Sequence, residues 1–319
     1  MINKIKTIII GFGNIGYYDD TYRKSNLGAF SHYKNIIDSK SFYLSAICDP
    51  KIEKKIKLKK NQVNLYTKYQ DILKKENADL VIISTPDSLH YKILLEAYKY
   101  SPKMVFCEKP MCLNLAQVNE INKLYEKKNI LLQVNYSRRF LPEYQKIRKD
   151  LKKGSLGDLK IVQMLYSKGL IHNGSHAIDL ALWFFGKPKK IKTCRIFKSQ
   201  TYPNDFCATI TLEYNNKLIV EIIGIDIDDL GSIEINIIGN KGKYFVDSNN
   251  QIISYQLKKI NSHQKQLFYR QVSKKNIKSY MSLQYALKNL ENAYNKKEKL
   301  ISPGTNSTNI FKVIKHCQS

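Results

Sequence analysis

Several short stretches of this chain carry side chains that do chemistry once a fold brings them together. The first is Gly11-Phe12-Gly13-Asn14-Ile15-Gly16, directly after the apolar run Ile5–Ile10. After a buried strand, a first glycine permits a tight turn and a second lets the backbone approach a pyrophosphate. A third lets the next segment pack against the strand. N–H groups opening a helix then face the phosphates, so Gly11, Gly13, Asn14, Ile15 and Gly16 are candidate dinucleotide contacts. The next apolar run ends in Ala46-Ile47-Cys48-Asp49. A carboxylate there accepts hydrogen bonds from ribose hydroxyls and repels a 2′-phosphate, which favours NAD over NADP. Lys51 and Lys54 offset that repulsion and keep NADP open, and Asp49-Pro50 can also be read as a plain turn.

Further candidates are Ser84-Thr85-Pro86 with His90, and Cys107-Glu108-Lys109-Pro110. A lysine held before a proline has a restricted backbone, and a cis Lys109–Pro110 bond is expected. The stretch Ile171-His172-Asn173-Gly174-Ser175-His176-Ala177-Ile178-Asp179 offers two imidazoles, which move protons near neutral pH. Gly174 between them argues against one continuous helix, and no metal is expected despite their i, i+4 spacing. In Asn135-Tyr136-Ser137-Arg138-Arg139-Phe140 either arginine suits an anionic substrate group or a structural ion pair between domains.

The elements that must position these residues follow from periodicity. Apolar runs at Ile5–Ile10, Phe42–Cys48, Asp79–Ser84, Met104–Cys107 and Ile130–Asn135 read as strands. Helical patterns lie at Leu27–Asp38, Lys51–Lys59, Leu89–Tyr98 and Asn114–Lys127. This alternation predicts a doubly wound parallel sheet of Rossmann type over residues 1–134. Ligands bind beyond the carboxyl ends of such strands, where Gly11, Asp49, Thr85 and Lys109 all fall. One departure stands out. The polar and aromatic stretch Tyr17–Asn26 follows the glycines, so Asp49 comes 33 residues after Gly16 rather than the usual ~20. This insertion is read as a lid, a substrate contact or a plain surface loop.

Beyond residue 135 the rhythm changes. Helices are expected at Pro142–Leu151, Ser175–Phe185, Tyr280–Asn295 and Ser307–Lys315. Strands are expected at Ile191–Lys198, Phe206–Tyr214, Leu218–Ile223, Ile233–Ile238 and Lys243–Val246. Hairpin turns at Asn215-Asn216-Lys217 and Gly239-Asn240-Lys241-Gly242 make residues 135–319 an α+β domain with a mostly antiparallel sheet.

The order of glycine fingerprint, T-P-x-x-x-H, E-K-P and a later G-x-H-x-x-D resembles the glucose–fructose oxidoreductase/inositol dehydrogenase family over nearly the whole chain. The resemblance implies a nicotinamide cofactor, contacted by the glycine turn, Asp49, Ser84, Thr85, Pro86, His90 and Glu108. It implies that Lys109 lies near the reacting carbon and that His176 matches the family's histidine, with Asp179 on the following helix. The family has an aspartate four residues before that histidine. Here the position holds His172, which either shares the proton transfer or only touches substrate. Arg138, Arg139 and Asn173 join the substrate candidates. The implied reaction moves a hydride between nicotinamide and a secondary alcohol of a sugar or sugar nucleotide, of the kind found in surface glycans. Either His176 or Lys109 is the base. Other readings are a non-catalytic cofactor-binding regulator, and reduction of a non-sugar ligand such as a tetrapyrrole.

Composition narrows the partners. The net charge of +26 invites a nucleic-acid reading, but only six of the 53 basic residues are arginine. Arginine is the residue that reads phosphates and bases by its fork, so no nucleic acid is expected. The run Glu53–Lys60 fits a solvated helix face, and the charge favours anionic substrates. Six scattered cysteines form no C-x-x-C pair, which suits reduced thiols, with an oxidation-sensitive role for Cys107 as the alternative. No apolar run reaches membrane length and no signal peptide is recognised, so a cytoplasmic protein is expected. The second-domain sheet needs one face covered, and with its own helices on one side and a second subunit on the other a homo-oligomer, dimer or tetramer, is expected.

Overall fold

A computed structural model of the chain describes residues 4–22, 29–52, 63–225, 227, 233–258 and 267–318. The chain forms two compact units, Met1–Phe140 with Tyr280–Thr308 and Leu141–Ser279 with Asn309–Ser319. It thus returns to the first unit at residue 280, where the change of rhythm suggests a single crossing at 134/135.

The first unit is built on six strands: β1 (Ile5–Ile10), β2 (Phe42–Cys48), β3 (Asn64–Tyr66), β4 (Leu80–Ile83), β5 (Met104–Cys107) and β6 (Leu131–Val134). Their order is β3-β2-β1-β4-β5-β6, and every pair is parallel. β4 and β5 are buried along their whole length, as a sheet covered on both faces requires. The strand order reverses between β1 and β4, which opens a crevice at their carboxyl ends. The helix Ser282–Tyr294 comes back to this unit and buries Leu283, Ala286, Leu287 and Leu290 in the core that also holds Ile9, Ile47 and Phe106. Each buried leucine contributes roughly 2 kcal/mol. Gln133 Nε2 donates to the Ala286 carbonyl at 2.9 Å and ties β6 to that helix.

The second unit carries an eight-stranded sheet. Its strands are β7 (Leu159–Tyr166), β8 (Lys190–Lys198), β9 (Phe206–Glu213), β10 (Ile219–Gly224), β11 (Glu234–Gly239), β12 (Gly242–Val246), β13 (Gln251–Lys258) and β14 (Phe268–Asn276). The order is β14-β13-β12-β11-β7-β10-β9-β8, antiparallel except where β7 meets β10. Val162, Met164 and Tyr166 of β7 and Val220 and Ile222 of β10 face inward. The helix Ser175–Phe185 packs on these two strands.

Several expectations need correction. The helix expected over 27–38 covers only His32–Ile37, because Ser31 caps it by accepting from Lys34 N. Most of the Lys51–Lys59 helix, the Glu53–Lys60 run with Lys54, and residues 23–28 lie outside the described residues. The central β7, the short β3, the helix Tyr69–Glu76 and the strands β13 and β14 are additions. Among the described residues no helix is long and apolar enough to cross a membrane.

Candidate functional site

The glycine turn follows β1 as its motif requires. Gly11 has φ +95°, and a Cβ there would sit 2.5 Å from the backbone of Ser84 and Thr85. A Cβ on Gly16 would sit 2.5 Å from the Gly11 carbonyl oxygen, whereas one on Gly13 would meet nothing within 4 Å. Gly11 and Gly16 therefore close the turn on itself and on β4, and Gly13 opens outward. Ser84 Oγ donates to the Gly11 carbonyl at 2.8 Å and locks the arrangement. Gly13 O accepts from both Tyr17 N (2.8 Å) and Tyr18 N (3.1 Å), which makes Asn14–Tyr18 a wide helical turn leading into Asp19–Tyr22. The helical path thus begins at once and takes in the first residues of the polar, aromatic stretch that follows the glycines. Tyr17 stacks on Phe12 at 4.6 Å between centroids, so this residue packs on the turn and is no free lid.

Asp49 stands at the end of β2 and is buried. Oδ2 accepts from Phe12 N at 2.9 Å and Oδ1 from Lys51 N at 2.9 Å, so the carboxylate is fixed against the glycine turn and does more than begin a turn. Thr85 Oγ1, at the end of β4, is buried without a hydrogen-bond partner. An open Gly13 edge, a wide N-terminal helical turn, a fixed carboxylate and an orphaned hydroxyl fit a dinucleotide laid across the strand ends.

Lys109–Pro110 is cis, as expected. His90, next to the loop that Pro86 begins, is buried, with Nδ1 2.7 Å from the Pro110 carbonyl oxygen and Nε2 2.9 Å from that of Thr85. Both ring nitrogens lie against backbone carbonyl oxygens, so His90 clamps two loops together. Glu108 is buried, and its Oε1 takes His32 Nε2 at 2.7 Å and Asn135 Nδ2 at 2.8 Å. Burial pushes the Glu108 carboxyl up. The His32 hydrogen bond and charge, the Asn135 hydrogen bond and the Lys109 charge outweigh this and hold it below its ordinary value. Cys107 is fully buried, and burial pushes its thiol well above the ordinary value. That removes the thiolate an oxidation-sensitive role needs. Arg139 is buried with Nη1 3.2 Å from the Ile301 carbonyl oxygen, a tie within the first unit, while Arg138 is half-buried.

The second unit holds the imidazole candidates. Gly169 O accepts from Asn173 N (3.1 Å) and Gly174 N (2.9 Å), giving a second wide helical turn, Leu170–Gly174, that runs straight into Ser175–Phe185. Gly174 thus continues the helical path, against expectation. It is glycine because a Cβ would come within 2.7 Å of the Tyr166 ring. His172 stacks on Tyr202, with centroids 3.8 Å apart. Asn173 Nδ2 donates to the Ser167 carbonyl at 3.0 Å. His176 and Asp179 are buried on the following helix. Wide turns of this kind recur at functional positions, and here both open on a glycine carbonyl.

Two residues escape the motif reading. One is His32. The other is Asp205, whose carboxylate accepts from Ile171 N (3.2 Å), His172 N (2.9 Å) and Phe206 N (2.8 Å). Burial raises its pKa, and these three N–H groups counter only part of that. A Cβ on Gly169 would lie 2.2 Å from Asp205 Oδ2, so only glycine admits the carboxylate. The signals were weak: Ser31-His32 as a helix cap, and a lone acid after Pro203. Among the described residues, no three His, Cys, Asp or Glu side chains are grouped to hold a metal ion.

Comparison with known proteins decides the family. The profile of the Gfo/Idh/MocA oxidoreductase family's NAD-binding Rossmann fold matches residues 5–136, and that of its C-terminal alpha/beta domain matches residues 169–317. The chain belongs to the glucose–fructose oxidoreductase/inositol dehydrogenase family. Among relatives, it is 28% identical over 155 residues to inositol 2-dehydrogenase/D-chiro-inositol 3-dehydrogenase of Lactiplantibacillus plantarum, covering 44% of either chain. It is 30% identical over 131 residues to scyllo-inositol 2-dehydrogenase (NADP+) IolW of Bacillus subtilis, covering 35% of this chain and 36% of that one. The chain spans about half the length, or less, of the curated relatives it matches. In fold it resembles an oxidoreductase from Agrobacterium radiobacter in complex with NAD+, L-tartaric acid and magnesium, with TM-score 0.70, 15% identity and 98% and 95% of the two chains covered. The first unit of this family member is accordingly an NAD-binding Rossmann domain.

Proposed function

We propose that the protein is an NAD-dependent dehydrogenase that reversibly oxidises a secondary alcohol of a cyclic polyol or sugar. The observation that carries this reading is a dinucleotide cradle and an amine in one sheet. Lys109 leaves β5 two strands from the glycine turn on β1, a separation of about 10 Å. The loops are joined by Ser84, His90 and the Glu108 contacts. The inositol dehydrogenases among the relatives support the substrate class.

NAD, when bound, supplies the hydride acceptor or donor. The glycine turn and Asp49 hold and orient it. The Asp49 carboxylate favours NAD, while Lys51 and the NADP-linked relative keep NADP as an outcome of the test. The Lys109 ammonium donates to the substrate oxygen and stabilises negative charge as it develops there. The hydroxyl proton passes to His176, or to Lys109 itself. His172, held by Asp205 and Tyr202, contributes an imidazole where the family likeness expects a carboxylate. Asn173, Asp179 and Arg138 are the further substrate contacts. The charge of +26 favours an anionic form such as a nucleotide-linked sugar, which suits surface-glycan synthesis. Free cysteines suit the cytoplasm. Apolar side chains exposed on the second-unit sheet, among them Ile196, Ile219, Phe268 and Val272, are covered by a second copy in a dimer or tetramer.

Purified protein mixed with NAD or NADP and a panel of inositols, sugars and nucleotide sugars tests the reading. NADH formation on at least one is expected. Cofactor binding without turnover of any of them, in either direction, would favour a non-catalytic regulator instead.

A further inference from the structure

His32 belongs to none of the motifs. It opens the helix His32–Ile37 and is fully buried, at 0% exposure. Nε2 lies 2.7 Å from Glu108 Oε1, and the ring packs edge-on against Phe106 at 5.2 Å. The other nitrogen, Nδ1, is buried with no partner. Leaving such an atom unpaired is unfavourable, so an apolar ring would serve packing better. What the imidazole supplies and a phenyl cannot is the hydrogen bond to Glu108.

The approach to His32 is anchored by the glycine turn's own extension. Asp20 accepts from Phe30 N (2.6 Å) and Ser31 N (2.9 Å) and from the Ser31 hydroxyl. Ser31 Oγ in turn accepts from Lys34 N at 3.1 Å. The helical segment after the phosphate turn, His32 and Glu108 thus form one chain of contacts that ends one residue before Lys109.

We infer that His32 is a positioning residue that fixes the Glu108 carboxylate and, through it, sets the state of the Lys109 amine. This deepens the reading of Lys109 as the reactive amine and rests on it. The charges that help hold Glu108 below its ordinary value include those of His32 and the neighbouring Lys109. A carboxylate held by His32 and Asn135 favours the ammonium form of Lys109. A carboxylate released by His32 turns away or takes up a proton, and the amine is freed.

Competitive trace acetylation with acetic anhydride, read lysine by lysine by mass spectrometry, tests this without any substrate. The other lysines serve as internal references. In His32→Leu, Lys109 labelling at mildly alkaline pH is expected to rise about threefold or more, since one pKa unit is a tenfold change in free amine. In His32→Gln, which keeps an N–H donor at the same reach, it returns toward wild type. His32→Asn, polar but too short to reach Oε1, gives the same rise as leucine and serves if the leucine variant does not fold. A folded leucine or asparagine variant with wild-type Lys109 labelling overturns the inference, as does an equal rise in the glutamine variant. Loss of turnover in Lys109→Ala with unchanged labelling in the His32 variants sinks this inference alone. Changed labelling with full turnover in Lys109→Ala sinks the reading of Lys109 alone.

Discussion

Gly11→Ala and Gly13→Ala separate what the glycine turn does for the fold from what it does for the cofactor. At Gly11 a methyl group meets two penalties. Alanine at φ +95° costs roughly 1–2 kcal/mol. The overlap at 2.5 Å with the backbone of Ser84 and Thr85 cannot be relieved by turning a side chain, and overpacking of that kind costs about 1–3 kcal/mol. The sum, about 2–5 kcal/mol, lowers the melting temperature of a unit this size by roughly 5–15 °C. At Gly13 neither penalty applies, because φ is −86° and the methyl group meets nothing within 4 Å. Gly13→Ala should therefore melt with the wild type while its NADH affinity falls about tenfold, or ~1.4 kcal/mol. Scanning calorimetry and NADH fluorescence titration read the two quantities. If Gly13→Ala binds NADH as well as wild type, the phosphates do not pass over this edge and the placement of the cofactor fails.

Other outcomes follow from the buried carboxylates. Burial raises the Glu76 carboxyl, but hydrogen bonds from Asn64, Tyr66 and Lys6 and the Lys6 charge outweigh it and hold the group below its ordinary 4.5. Its contribution to stability is complete above that value and is lost as pH falls through the lower folded value. In Glu76→Gln the fall in melting temperature on acidification should be shallower, and an acid limb of wild-type steepness would contradict the assignment. Asp205 has the opposite sign: its pKa is raised above 3.8, so its share of stability is present at low pH and is lost as pH rises through the raised value. Asp205→Asn presents an amide where N–H donors need two oxygens. It should cost about 1–3 kcal/mol and raise the substrate KM through His172, with NADH affinity unchanged; an unaltered KM would detach Asp205 from the substrate loop.

The first sheet was readable because a strand buried on both faces writes a continuous apolar run, as Leu80–Ile83 and Met104–Cys107 do. At one edge of the second sheet β13 and β14 were not, although the opposite edge, β8, was. β14, Phe-Tyr-Arg-Gln-Val-Ser-Lys-Lys-Asn, lies at an edge with nearly every side chain exposed, so it carries no alternation to detect. β7 finds its parallel partner β10 more than 50 residues away, a pairing that no local pattern announces. Glycine, Asp49 and Lys109 could be placed because each stands at a strand end. For His90 the motif shows a residue that approaches the site, but not that both ring nitrogens lie against backbone carbonyls. His32 and Asp205 stayed hidden because each acts through a contact made by folding, across 76 residues to Glu108 and 33 to His172.

The central claim is that Lys109 serves the reacting carbon while taking little part in holding the dinucleotide. Pre-steady-state hydride transfer in Lys109→Ala, measured beside its NADH dissociation constant, addresses it directly. The rate should fall by about 10²–10⁴-fold with the dissociation constant within about twofold of wild type. Hydride transfer at the wild-type rate would contradict the account.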